Sequence, residues 1–242
     1  QVTEIRKKLP TILKTTCLNN IKILDLHSRE DYETLKSAIN EITLNSPKNN
    51  FEKGEKLAKM LVDHAFPVKG VGTVVLGLVQ QGQFIAGKMY DMMPIQKKVI
   101  LRSIQKFDRD FKTAEAGDRV GLALKGIKTD KIDRNAIFCA LDSMVTSQRV
   151  SITLFASPFY KPLSDDNVIT PEDTKTYHAI VDLGISNVKL DSGDSIKPGG
   201  SGQLNLVFEK ELVHDPAGMR GILVDFGPFE KKSRIVGYFE DI

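Results

Sequence analysis

The hydrophobic pattern changes character once along the chain. Up to about residue 45, apolar residues recur at helical spacing. In the stretch 2–16, Ile5, Leu9, Ile12 and Leu13 fall on one side with Lys and Arg between them, which predicts a helix. Pro10 predicts a kink or a later start, because proline has no amide hydrogen to give to the preceding turn. IKILDL, 21–26, reads as a strand. Ser28 is placed to cap a helix from Arg29 to about Thr43, with Asp31 three positions on as its capping-box partner. Tyr32, Leu35 and Ile39 would form that helix's apolar face. The stretch NSPKNNFEKGEK is polar with Pro and Gly and reads as a linker.

From about Lys59 the apolar residues come in short β-branched runs instead. GTVVLGLV, KKVILRSI, GDRVGLAL and NAIFCAL are separated by turn signals at Gln81-Gly82, Ala116-Gly117-Asp118 and Lys128 to Asp133. A second set begins near Arg149: RVSITLF, YHAIVDL, GQLNLVF, GILVDF and RIVGYF, punctuated by Gly199-Gly200 and Asp215-Pro216. Short strands at this spacing predict barrels or sandwiches. The expected fold is mainly β: a small α/β segment over 1–45, a linker over 46–58, and two consecutive β-barrels over 59–142 and 149–242.

Composition adds exclusions. The chain has 242 residues, enough for two or three compact units. No apolar run approaches the ~20 residues of a membrane span. The first residues, QVTEIRKKLP, lack the apolar core of a signal peptide and an initial Met, which predicts a piece of a longer, cytoplasmic protein. Cys17 and Cys139 are read as two reduced thiols. His27, His64, His178 and His214 show no HxxxH spacing and no CxxC occurs, so no metal site is expected. Asp165, Asp166 and Asp173 flank a loop without the frame of a calcium site. No nucleophile elbow occurs, so no catalytic residue is assigned. The net charge of +3 permits an RNA partner without demanding one. No DNA or membrane partner is expected.

DHAFPVKGVGTVVLG, 63–77, contains Gly70-Val71-Gly72, which invites a dinucleotide-binding reading. Such a loop needs a helix N-terminus after the glycines. Here Thr73-Val74-Val75-Leu76 follows, which is strand chemistry, and Gly77 falls at the wrong spacing. The glycines are read as a sharp turn between two strands, or as a point of close approach.

FPVKGVGTVVLGLVQQGQFIAGK (66–88), RSIQKF (102–107) and AEAGDRVGLALKGIKTDKIDR (114–134) occur in an order that resembles the second domain of translational GTPases. The likeness is to the archaeal selenocysteine-specific elongation factor, with elongation factor Tu behind it. EKELVHDPAGMRGILVDF and the terminal SRIVGY resemble the end of the third domain. By that resemblance, residues 1–45 are the tail of a degenerate GTP-binding domain. Its guanine-contacting Ser-Ala-Lys place reads Asp25-Leu26-His27, or Ser28 with a one-residue shift. The chain contains no GxxxxGK[ST]. Lys128-Thr129-Asp130 and Lys131-Ile132-Asp133 mimic the guanine-specificity motif but fall inside the barrel, and are not read as a nucleotide site. No cofactor is expected in this chain. GTP and Mg²⁺ enter only if an intact GTP-binding domain precedes it.

The resemblance also implies a site. The terminal adenine of tRNA would lie against Val68, Gly70, Val74 and Gln105, with Asp63, His64 and Phe66 toward the aminoacyl group. A base face takes apolar contacts and its edge or ribose takes a polar group. Each residue has a plainer reading too. Val68 and Val74 suit a barrel core or rim, Gln105 a solvated strand, and Asp63–His64 a surface pair. Leu76 stands where the family has Thr, and Asn135 where it has Gly. Asp108 stands near a phosphate-contacting Arg, with Lys106 and Arg109 as possible compensation. The leading expectation is a fragment of an elongation factor Tu-like translation protein that binds the acceptor end of (aminoacyl-)tRNA without GTPase activity of its own. The alternatives are a non-enzymatic ribosome- or factor-interacting protein, and the back half of an active translational GTPase.

Overall fold

A computed structural model describes residues 2–14, 16, 18–26, 28–45, 56–162, 166–172, 174–227 and 233–242. It contains two compact units, Gln1–Asn50 and Phe51–Ile242. Cys17, His27, Asp165, Asp173 and linker residues 46–55 lie outside the described residues.

The first unit holds helix α1, Val2–Leu13, and helix α2, Tyr32–Asn45. Pro10 sits inside α1. A short 3-10 turn, Arg29–Asp31, leads into α2 behind the expected cap. The Ser28 hydroxyl accepts from the Glu30 amide at 3.2 Å, and the Ser28 amide donates to Asp31 Oδ2 at 3.0 Å. Two expectations fail here. Residues 21–26 form no strand, because none of the described residues pairs with them and an extended segment without a neighbour has no ladder to join. On α2 it is Ala38, with Leu35 half-covered, that faces inward, while Tyr32 and Ile39 are exposed.

The second unit starts with β1, Lys59–Val68, followed by β2, Gly72–Gln81, β3, Gln83–Ile85, and β4, Met89–Met93. Next come β5, Lys97–Lys106, β6, Arg109–Phe111, β7, Thr113–Glu115, β8, Arg119–Lys125, and β9, Ile137–Cys139. The order β4-β9-β1-β2-β8-β5 closes through pairing of β4 with β5, so six strands form a barrel with no open edge inside it. Strand β6 extends β5 as a hairpin, and β3 pairs with β7 outside the barrel. Alternation builds the interior: in β2, Thr73, Val75, Gly77 and Val79 point inward while Val74, Leu76 and Leu78 do not. Phe84, Tyr90 and Phe138 meet within the core at centroid distances of 4.9 to 5.2 Å.

The second barrel uses β10, Val145–Ala156, β11, Tyr177–Val181, β12, Gly184–Gly193, β13, Ser201–His214, β14, Arg220–Val224, and β15, Ile235–Asp241. These close in the order β10-β13-β12-β11-β14-β15. The core includes Tyr160, Tyr177, Phe208 and Phe239. Tyr160, buried with its ring, donates its hydroxyl to Asp225 Oδ2 at 2.7 Å, and Lys175 Nζ reaches the same oxygen at 2.9 Å. Burial alone would raise the Asp225 carboxyl. Hydrogen bonds from Tyr160, Lys175 and the Gly227 amide outweigh it and hold that carboxyl below its ordinary value. Burial, then the hydrogen bond to Asp225, pushes Tyr160 up to about 12. This cluster fastens two connections, one before β11 and one after β14, over the end of the barrel.

A small apolar seam of Leu61, Met93, Ile137, Cys139 and Val213 joins the two barrels. Lys59 Nζ to Asp182 at 2.9 Å and Gln81 Nε2 to Asp215 at 3.1 Å add polar ties. Cys139 is free and buried, and burial pushes its thiol up to about 11.

Candidate functional site

The Gly70-Val71-Gly72 stretch is a hairpin turn. Val68 pairs with Gly72, and the Val71 amide donates to the Val68 carbonyl at 3.1 Å. Gly70 and Gly72 have φ of 81° and 105°, which side chains rarely adopt. Strand β2 follows directly, so the geometry is strand–turn–strand with no helix end to hold a pyrophosphate.

On the outer face of the first barrel, register lines up two rows of side chains. Phe66 pairs with Val74, Val74 with Ala123, and Ala123 with Ser103. One step along, His64 pairs with Leu76, Leu76 with Gly121, and Gly121 with Gln105. Large residues stand on β1 and β2 and small ones on β8, so the surface sinks in the middle. The result is a slot of ≈ 490 Å³. Its walls include Phe66, Val68, Val74 and Leu76, its floor Gly121 and Ala123, and its polar side Ser103 and Gln105.

The hairpin of β5 and β6 overhangs this slot. Its two-residue loop, Phe107-Asp108, has φ of 50° and 58°, the type I′ sign pattern. Glycine or asparagine normally fills such positions, and a phenylalanine there is strained. Phe107 is 93% exposed and lines the slot. The turn holds a large aromatic in water at the slot's edge, against both backbone preference and hydrophobicity.

The sequence-derived residues divide. Phe66, Val68, Val74 and Gln105 line the slot together. Gly70 lies at the hairpin tip and does not line it. His64 is exposed on the same row as Leu76 and Gln105 without lining the slot. Asp63 sits at a bulge in β1 and pairs with Arg119, a slot residue, at 2.6 Å. Gln105 donates to Asp110 Oδ1 at 3.0 Å, across the β5–β6 pair. Lys106, one of the two cations weighed against Asp108, is held elsewhere. That ammonium is tied to Asp118 at 2.7 Å and lies over the Phe111 ring, and strand alternation turns it to the face opposite Gln105. Phe107, Arg119, Gly121 and Ala123 were absent from the sequence-derived set. The only signal for the last two was the small residues alternating with large ones in RVGLALK.

Among the described residues no cluster of three or more His, Cys, Asp or Glu side chains could hold a metal ion. Among them, too, no helix is long and apolar enough to cross a membrane.

The chain is thus a tandem of two closed six-strand barrels, the first carrying a slot between β1, β2, β8 and β5. The chain is 30% identical over 229 residues to an uncharacterized protein of Methanocaldococcus jannaschii, covering 95% of this chain and 65% of that protein. It is 34% identical over 139 residues to the selenocysteine-specific elongation factor of the same organism, covering 54% of this chain and 28% of the factor. Elongation factor Tu 2 of Streptomyces avermitilis is 24% identical over 155 residues, covering 64% of this chain and 40% of that factor. No protein-family model matches. Among solved structures, translation elongation factor SelB from Methanococcus maripaludis in its apo form superposes with a TM-score of 0.82 at 24% identity, over 100% of this chain and 53% of that one. A bacterial selenocysteine-specific elongation factor superposes with a TM-score of 0.75 at 20% identity, over 99% of this chain and 37% of that one. The chain thus spans between about a quarter and two thirds of the length of the curated relatives it matches. Its named relatives and structural neighbours are SelB- and elongation factor Tu-like translation factors, and its two-barrel fold is consistent with the second and third domains of such factors.

Proposed function

We propose that this chain is the part of an elongation factor Tu-like translation protein that binds the acceptor end of (aminoacyl-)tRNA, and that the chain has no GTPase activity of its own. The slot carries the reading. It offers an apolar floor for a base face, Gln105 and Ser103 for an edge or ribose, and Phe107 as an aromatic surface. Asp63 pairs with Arg119, which lines the slot, and would stand toward the aminoacyl group. Phosphoryl transfer needs a phosphate loop, its Lys and a held Mg²⁺, and the chain contains no GxxxxGK[ST]. A nucleotide cycle in a longer parent would belong to another part of it.

The test is binding of the chain to aminoacylated and deacylated tRNA at two salt concentrations. The expected result is a preference for charged tRNA that Gln105→Ala weakens and Gly121→Phe abolishes by filling the slot. Equal, weak, salt-sensitive binding of both forms by the unaltered chain would refute acceptor-end recognition.

A further inference from the structure

The hairpin tip that forms one wall of the slot also forms one wall of a second, larger recess. We propose that Lys69, Arg102, Lys125 and Lys128 make this recess a groove for the phosphodiester backbone of RNA, distinct from the slot. The recess is an open trough of ≈ 870 Å³, and it shares only Val68 and Val71 with the slot. Its walls come from the β1–β2 turn, the bulge of β5 and the chain leaving β8. Four cations line it against one carboxylate, Asp130.

Four other cations of this barrel are held by carboxylates. Lys59, Lys98, Lys106 and Arg119 each pair with an aspartate, Asp182, Asp142, Asp118 and Asp63 respectively. Among the described residues, no carboxylate pairs with Lys69, Lys125 or Lys128. Arg102 donates from Nη1 to the Val71 carbonyl at 2.8 Å, which holds its guanidinium at the trough and leaves its other N–H groups for an anion. The floor is fixed. The buried Thr73 hydroxyl donates to the Ile127 carbonyl at 2.7 Å and lies 3.4 Å from the Thr129 hydroxyl. Gly70 and Gly126, at φ of 81° and 102°, have open space where a side chain would stand, so a ligand can approach the backbone at both ends. Exposed cations spread over three chain segments suit a linear polyanion rather than a single enclosed phosphate. The adjoining apolar slot, with its aromatic rim, fits a nucleic-acid strand better than an acidic peptide. The anionic chain has two possible sources: the strand whose end fills the slot, or a separate folded RNA.

The experiment measures affinity against salt for the full chain and two probes, a single-stranded RNA ending in CCA and a blunt RNA duplex. The variants are Lys69→Ala/Lys125→Ala/Lys128→Ala together, and Gly121→Phe. The three lysine side chains are exposed and, among the described residues, make no hydrogen bond or ion pair, so thermal melting should be unchanged. The triple variant is expected to lose about tenfold in affinity at low salt and to lower the log–log salt slope by roughly 2 for a single strand. Loss confined to the CCA strand assigns the groove to the strand in the slot. Equal or greater loss with the duplex assigns it to a separate RNA. An unchanged slope with both probes overturns the groove, as does displacement of RNA by polyglutamate at equal charge. Gly121→Phe separates the two sites: if it leaves CCA binding intact while the lysine variant does not, the slot reading fails and the groove stands.

Discussion

The two barrels share a construction and differ in what their outer faces do with it. Each closes six antiparallel strands, and each lines up outward side chains across them. In the first barrel the row Phe66, Val74, Ala123, Ser103 falls in size and leaves a hollow. In the second the row Phe155, Tyr238, Ile222, Ile180, Ile185 stays large, with Phe155 and Tyr238 stacked at 4.6 Å. Side-chain size along one ladder row decides whether a barrel face is a recess or a ridge. The investment in charge differs too. The first barrel leaves Lys69, Lys125 and Lys128 unpaired in solvent, whereas the second holds a part-buried Lys175 against Asp225 and Tyr160. One arrangement suits a polyanion; the other holds the fold together.

The largest expected effect lies in the second barrel. Asp225→Ala leaves a part-buried ammonium and a buried hydroxyl without their common acceptor, a loss of about 3–5 kcal/mol for breaking a buried pair. Urea unfolding with separate probes for each barrel measures this. Slot binding should survive, and joint loss of both would show that the barrels do not fold independently.

Gly121→Phe makes the converse change. A Cβ at Gly121 would stand 3.4 Å from Leu76 Cδ2, an ordinary neighbour distance for a side chain that can give. The ring should fill the slot and cost ligand binding about 1–3 kcal/mol, the value of one stacked base, with little effect on unfolding. Titration of a CCA-ended RNA measures it, and undiminished affinity would detach the slot from that ligand.

Acid and base should act on the second barrel at opposite ends of the pH scale. Asp225 is depressed on folding, so its contribution is present above the ordinary carboxylate range and lost as pH falls through its folded value, below about 4. Tyr160 is raised to about 12, so its contribution is full below about 10 and lost as pH rises from there to about 12. Thermal melting from pH 3 to 11 measures both arms. In Tyr160→Phe the alkaline arm should flatten; an unaltered arm would assign it elsewhere.

The smallest effect carries the most information about Phe107. Phe107→Asn places a residue that tolerates positive φ in the turn, so stability should rise by about 1 kcal/mol while affinity for an RNA end falls. A rise in stability without a fall in affinity would leave the strained aromatic unexplained by binding.

Much of the fold was legible from local pattern. The β-branched runs and their glycine turns gave most of the strands that build both barrels, and Ser28 with Asp31 gave a cap that forms. Glycine followed by Thr73-Val74-Val75 argued against a phosphate loop, because a strand cannot supply a helix end. Strands β4 and β12 and the short β3, β6 and β7 were not legible, since their pattern is too brief or too polar to carry a period. Residues 21–26 were misread for a different reason: their composition suits a strand, but a strand exists only with a partner.

The sequence by itself thus determined the alternation that separates core from surface, the turns, and the resemblance that named Phe66, Val68, Val74 and Gln105. Tertiary structure alone decided that β8 inserts between β2 and β5, bringing Gly121 and Ala123 beneath those residues. It also swung Phe107 over the slot and gathered Lys69, Arg102, Lys125 and Lys128 from three distant segments. The physical reason is that local pattern fixes which way a side chain points, whereas strand order and register fix which side chains become neighbours.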